Sequence, residues 1–106
     1  MSVTGTALPI GSLDAIPLGE GRVFEVRGRR VAVFRCRNGE VHATGAECPH
    51  RGGPLADGIL GEAAVICPLH GFVFDLRTGD ARGRECARLV TYPVAVSPSG
   101  VVLVDL

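Results

Sequence analysis

Two short motifs, Cys48-Pro49-His50 and Cys67-Pro68-Leu69-His70, constrain this chain more than anything else in it. Each puts one thiolate and one imidazole inside a single tight loop, with a proline stiffening it directly after the cysteine. Together they supply two Cys and two His, a metal-ligand set. Any fold the chain adopts has to bring two loops to one point, although 16 residues lie between His50 and Cys67.

The rest of the sequence describes the scaffold for such loops. The chain has 106 residues, of which 46% are hydrophobic, with 15 Gly and 7 Pro. That length suits one compact domain, residues 1–106, with no internal linker or repeat. The Gly and Pro content and the short alternating apolar runs predict an all-β fold, a small antiparallel sandwich or barrel. Strands are expected at Val23–Val26, Arg30–Arg37, Glu40–Thr44, Ala63–Ile66, Phe72–Leu76, Leu89–Val96 and Val101–Leu106. Asn38-Gly39 is a hairpin turn, Thr78-Gly79 a second turn, and Pro98-Ser99-Gly100 closes a last hairpin. Residues 12–18 suit a short turn capped by Ser12. Both motifs therefore fall in loops at strand ends, with a two-loop cluster-binding subdomain spanning about residues 45–72.

Net charge is 0, so no basic excess favours nucleic acid or an anionic membrane. No apolar run approaches the roughly 18–20 residues that span a bilayer. Met1–Gly11 does not read as a signal peptide, so a reducing cytoplasm is expected.

A mixed Cys/His set is the ligand set of a [2Fe–2S] centre in which two thiolates hold one iron and two imidazoles the other. Neutral imidazoles make such a cluster less negative, so it accepts an electron more readily than an all-cysteine cluster. Reduction should raise the proton affinity of the imidazoles. Gly52, Gly53 and Gly71 let backbone approach a cluster and donate N–H groups to its sulfurs, and Pro54-Leu55 suits a lid. A structural zinc site is the alternative, since two Cys and two His also satisfy tetrahedral Zn²⁺. Zinc fingers pair Cys with Cys and His with His, whereas here each loop carries one of each.

The stretches CPHRGGPL and CPLHGFVFDLRTGD closely resemble the Rieske family, the small soluble Rieske ferredoxins above all. The resemblance runs from about Arg30 to Leu106 and includes Thr91-Tyr92-Pro93-Val94. It implies a small all-β domain with one Rieske-type [2Fe–2S] cluster at its tip, held by Cys48, His50, Cys67 and His70. Respiratory and photosynthetic Rieske proteins add a disulfide across the cluster, but the matching positions here are Gly53 and Leu69. Those proteins also place Ser and Tyr donors after the second histidine, where this chain has Phe72 and Phe74. Losing these donors disfavours the reduced state, so a low potential within the Rieske range is expected. Rieske oxygenases need a further iron on two His and a carboxylate, yet of three His only His42 is left over. The chain is therefore expected to deliver electrons rather than to be an enzyme.

Other reactive residues have plainer readings. Cys36 packs inward with Ala32 and Phe34 on a strand face, and Cys86 reads as an ordinary free cysteine. His42 faces outward or into a polar pair. Arg51, Arg82, Arg84 and Arg88 suggest a basic rim for an acidic partner, or a solvated surface.

The resemblance implies a ferredoxin that takes electrons from a flavoprotein reductase and passes them to a terminal oxygenase, as a monomer when free. Its alternative is the small subunit of an assimilatory NAD(P)H nitrite reductase, stably bound to the large subunit. The shortness of the chain favours the free carrier. A zinc-stabilised interaction module is the non-redox reading.

Overall fold

The computed structural model describes residues 7–49, 54–68, 71–83 and 87–106. His50, Arg51, Gly52, Gly53, Leu69, His70, Arg84 and Cys86 lie outside the described residues, and so do the expectations placed on them.

Eleven short strands appear among the described residues: β1 (Leu8–Ser12), β2 (Glu20–Val26), β3 (Arg29–Arg35), β4 (Val41–Gly45), β5 (Ile59–Gly61), β6 (Ala64–Ile66), β7 (Val73–Asp75), β8 (Ala81–Arg82), β9 (Thr91–Tyr92), β10 (Val94–Val96) and β11 (Val101–Val104). They form three antiparallel sheets, ordered β1-β11-β10, β2-β3-β4-β9 and β5-β6-β7-β8. The all-β antiparallel architecture is the one the sequence predicts.

β3 is the hinge of the architecture because both of its faces are buried. Side chains alternate along a strand, and Val31 and Val33 point into one apolar layer while Ala32 and Phe34 point into another. The first layer joins the β2-β3-β4-β9 sheet to Ile16, Val102 and Val104. The second joins the same sheet to Val65, Phe74 and Leu76 of the β5–β8 unit. A continuous apolar run such as Val31-Ala32-Val33-Phe34 is what a strand covered on both sides requires.

Local chemistry explains most connections. Arg37-Asn38-Gly39 links β3 to β4, with the Cys36 N–H donating to the Glu40 carbonyl at 2.8 Å and the Asn38 side chain accepting from the Glu40 N–H at 3.0 Å. Ser12 Oγ accepts from the Asp14 N–H at 3.2 Å and caps the 3-10 turn Leu13–Ala15, as expected.

Three details differ from the sequence reading. Leu89–Val96 is not one strand: Pro93 separates β9 from β10, which belong to different sheets. Proline cannot donate to a ladder, so it sits where the chain changes sheets. β1 was hidden by Pro9 and Gly11, and its pairing with β11 slips at that point. β5 has only three residues, too few for alternation to register.

Candidate metal centre

β4 runs directly into the first motif. The Ala46 N–H donates to the Arg30 carbonyl at 3.2 Å, and the Leu55 N–H donates back to the Ala46 carbonyl at 3.1 Å. Glu47 and Pro54 bridge beside this bond, so the loop is tied at its base. Cys48 sits just above the tie and is only 3% exposed. Leu55 opens a 3-10 turn (Leu55–Asp57) and is fully buried, so it belongs to the core.

β6 runs directly into the second motif, which is tied more tightly. The Cys67 N–H donates to the Phe72 carbonyl at 2.7 Å, and the Gly71 N–H donates to the Cys67 carbonyl at 3.1 Å. Gly71 has φ +68, a left-handed conformation that favours glycine. Open space surrounds the position a Cβ would take, so the backbone angle is what calls for glycine here. Cys67 is 1% exposed.

The two cysteines, 19 positions apart in sequence, lie in one apolar layer with Ala46, Leu55, Phe72 and Phe74. Cysteine suits a soft metal, and thiolate is the form that binds it. Both His50 and His70 follow their cysteine within three residues. The donor chemistry therefore fits a mixed Cys/His [2Fe–2S] group. Phe72 and Phe74 pack with ring centroids 6.4 Å apart and are nearly or fully buried, so neither brings a hydroxyl to this layer.

The remaining candidates are placed elsewhere. Cys36 is fully buried beside Ala32 and Phe34, as expected, and burial pushes its thiol pKa up. A raised thiol is protonated and inert. His42 Nε2 lies 2.8 Å from Glu40 Oε1. Glu40 also accepts from Arg77 Nε at 3.0 Å and from its Nη2. Arg77 first, and His42 second, hold the Glu40 carboxyl down at about 2. His42 is thus part of a polar bridge between β4 and the end of the β5–β8 unit. The i, i+2 spacing of His42 with Glu40 is legible in sequence, but the partnership of Glu40 with Arg77, 37 residues away, is not.

Of the expected basic rim, Arg82 and Arg88 are among the described residues, and each faces a carboxylate. Arg82 pairs with Asp75 at 3.0 Å and Arg88 with Asp80 at 2.8 Å. Burial alone would raise Asp75, but hydrogen bonds from Arg82 and from the Arg77 backbone hold its carboxyl below the ordinary value.

No helix among the described residues is long and apolar enough to cross a membrane. Over 70 residues the chain is 41% identical to Apoptosis-inducing factor 3 of Mus musculus, a match covering 66% of this chain but only 10% of that protein's length. It is 35% identical over 92 residues to the ferredoxin component of the naphthalene 1,2-dioxygenase/salicylate 5-hydroxylase systems of a Ralstonia species, covering 86% of this chain and 88% of that one. The ferredoxin of carbazole 1,9a-dioxygenase from Nocardioides aromaticivorans IC177 superposes with a TM-score of 0.83 at 30% identity, over 95% of this chain and 98% of the other. A protein described as the small subunit of an NADH-dependent nitrite reductase from Mycobacterium tuberculosis superposes with a TM-score of 0.84 at 28% identity, over 92% of each chain. With residues 6–93 matching the Rieske [2Fe-2S] domain, the chain belongs to the Rieske [2Fe–2S] family and carries one cluster of that type.

Proposed function

We propose that this chain is a low-potential Rieske ferredoxin, passing single electrons from a flavoprotein reductase to a terminal oxygenase in the cytoplasm. Cys48 and Cys67 hold one iron of its cluster and His50 and His70 the other. The observation that carries the reading is the meeting of two buried cysteines, from two separately tied loops, in one apolar layer. Bound there, the cluster supplies one-electron redox chemistry. The chain's own residues hold and insulate it: the backbone ties fix both cysteines, while Leu55, Phe72 and Phe74 keep water from the thiolate side.

The low potential follows from the same layer. Phe72 and Phe74 offer no O–H, and an apolar surrounding disfavours added negative charge. Within the family, the ferredoxin relatives of dioxygenase systems support a carrier over an oxygenase. The whole chain acts as one domain and as a monomer when free. The second reading, a small Rieske subunit bound to the large subunit of a nitrite reductase, is favoured by the fold match to a protein of that description.

EPR of the dithionite-reduced protein tests the ligand set. A Rieske-type spectrum is expected, with an average g below that of an all-cysteine cluster. A colourless, EPR-silent protein containing zinc would sink the proposal. Co-purification with a sirohaem-containing large subunit would replace the free carrier by the bound subunit.

A further inference from the structure

The chain is formally neutral, but its arginines are not used alike. Arg22, Arg77, Arg82 and Arg88 face the carboxylates of Glu20, Glu40, Asp75 and Asp80. Arg27, Arg29 and Arg30, at the tip of the β2–β3 hairpin, are all exposed and make no ion pair among the described residues. Glu25 lies opposite Arg30 in register, yet no ion pair joins them.

The tip also has an uncommon conformation. Arg27 has φ +50 and Gly28 φ +76, so both central residues of a two-residue turn are left-handed. Turns of that hand are ordinarily Asn-Gly or Gly-Gly. A strained arginine where a small residue would sit without strain is an outlier that asks for a functional reason.

Its place supplies one. The Arg30 carbonyl accepts from the Ala46 N–H at 3.2 Å, and Ala46 leads through Glu47 to Cys48. Alternation puts Arg30 on the face of β3 shared by Ala32 and Phe34, the face on which both cysteines pack. Across β4, the Val90 carbonyl accepts from the Gly45 N–H at 2.9 Å, and Val90 is 57% exposed. The first cysteine loop therefore leaves the sheet between a cationic tip and a bare apolar side chain.

We infer that the Arg27–Arg30 tip, with Val90 as an apolar anchor, is the docking surface for an electron-transfer protein whose complementary face is acidic. The inference rests on the carrier reading above. Unpaired cations beside the first cysteine loop speed encounter with an acidic partner, and a single exposed apolar contact suits a small, transient interface. Three cations on one turn fall short of the roughly four to eight of a membrane-binding polybasic cluster.

Full-length holoprotein, reduced with dithionite, is mixed in stopped flow with hexacyanoferrate(III) or with tris(phenanthroline)cobalt(III). Each probe takes one electron from the reduced protein, giving hexacyanoferrate(II) or the cobalt(II) complex. The triple variant Arg27→Asn, Arg29→Gln, Arg30→Gln should react about tenfold more slowly with the anionic probe at low ionic strength and faster with the cationic one. Both differences should vanish in high salt. Poly-L-glutamate, as a stand-in for an acidic face, should slow the wild-type reaction with the anion and leave the variant unaffected. Arg27→Asn alone should melt no lower than wild type, which separates a docking role from a folding one. Equal rates and equal salt slopes in wild type and triple variant would overturn the inference while leaving the carrier reading intact. Binding to phosphatidylserine-containing vesicles that the triple variant loses would overturn it in favour of a membrane. Failure of the wild type to pass an electron to either probe overturns both readings.

Discussion

The two faces of β3 carry layers of different character. On one, Val31 and Val33 meet Ile16, Val102 and Val104, an aliphatic layer complete in itself. On the other, Ala32 and Phe34 meet two aromatic rings and three cysteines. The aliphatic layer is formed by hydrophobic burial alone. The cysteine layer leads into the loops that carry the proposed ligands, and under that proposal part of its stability is the binding free energy of the cluster. One strand thus joins a permanent scaffold to a conditional one.

The largest test of that contrast is to cut each layer in turn. Phe74→Ala removes a fully buried ring beside the cysteines and should cost about 3–5 kcal/mol in the loaded protein. Val104→Ala, equally buried on the other face, should cost about 2 kcal/mol and leave the iron content unchanged. Denaturant melts paired with iron assays read both. If Val104→Ala strips iron as readily as Phe74→Ala, the layers are not separable. Chelating the iron should in turn release amide protection across β5–β7 while β10 and β11 stay protected, as hydrogen exchange would report.

The contrast also explains what the sequence reveals. The inner face of β3, the hairpin turns and both cysteine loops are visible because alternation, Asn38-Gly39 and the Cys-Pro pairs are local signals. The separation of β9 from β10 is visible only in hindsight at Pro93, because a proline alone does not say that the chain changes sheets. Pro54-Leu55 reads as a lid because it follows the first motif, and the 3-10 turn that drives Leu55 fully into the core is not legible there. Arg82 and Arg88 read as a rim because their carboxylates, Asp75 and Asp80, are found only by folding. The Arg27–Arg30 tip is legible as three charges, but their lack of an ion pair among the described residues is not.

A smaller effect sharpens the electrostatic side of the cysteine layer. Phe72→Ser places a hydroxyl in that layer, where Phe72 is 8% exposed. A donor there stabilises the more negative reduced state, so the midpoint potential should rise. A gain of roughly 60 mV corresponds to a tenfold shift in a one-electron equilibrium. Protein-film voltammetry reads it directly. A potential unchanged or lowered would mean that the layer does not set the potential through missing donors.

The polar bridge between the two units gives a pH-dependent test. Glu40 is held at about 2 against an ordinary 4.5, by Arg77 first and His42 second. A depressed carboxyl contributes stability that is complete above its unfolded value and is lost as pH falls through its folded value. Wild type should therefore lose the contribution of this bridge between about pH 4.5 and pH 2. Glu40→Gln should melt lower than wild type at neutral pH, and the two curves should converge as pH approaches 2. Parallel curves across that window would show that the bridge does not join the two units.

The smallest effect compares two strained turns, one on each side of the contrast. Arg27 and Ala63 both have φ +50. A left-handed L-residue costs about 1–2 kcal/mol, and glycine removes that cost but adds about 0.5–1 kcal/mol of unfolded-state entropy. Arg27 is exposed, so Arg27→Gly loses little packing and should gain about 0.5 kcal/mol. Ala63 is 1% exposed and its carbonyl accepts from the Leu76 N–H at 2.9 Å. Ala63→Gly gives up about 0.8 kcal/mol of methyl burial as well, which cancels the relief. Its melting temperature should stay within a degree or two, while that of Arg27→Gly rises by about 2–4 °C. Equal gains at both turns would mean that the buried one is held by its angle alone and not by its packing.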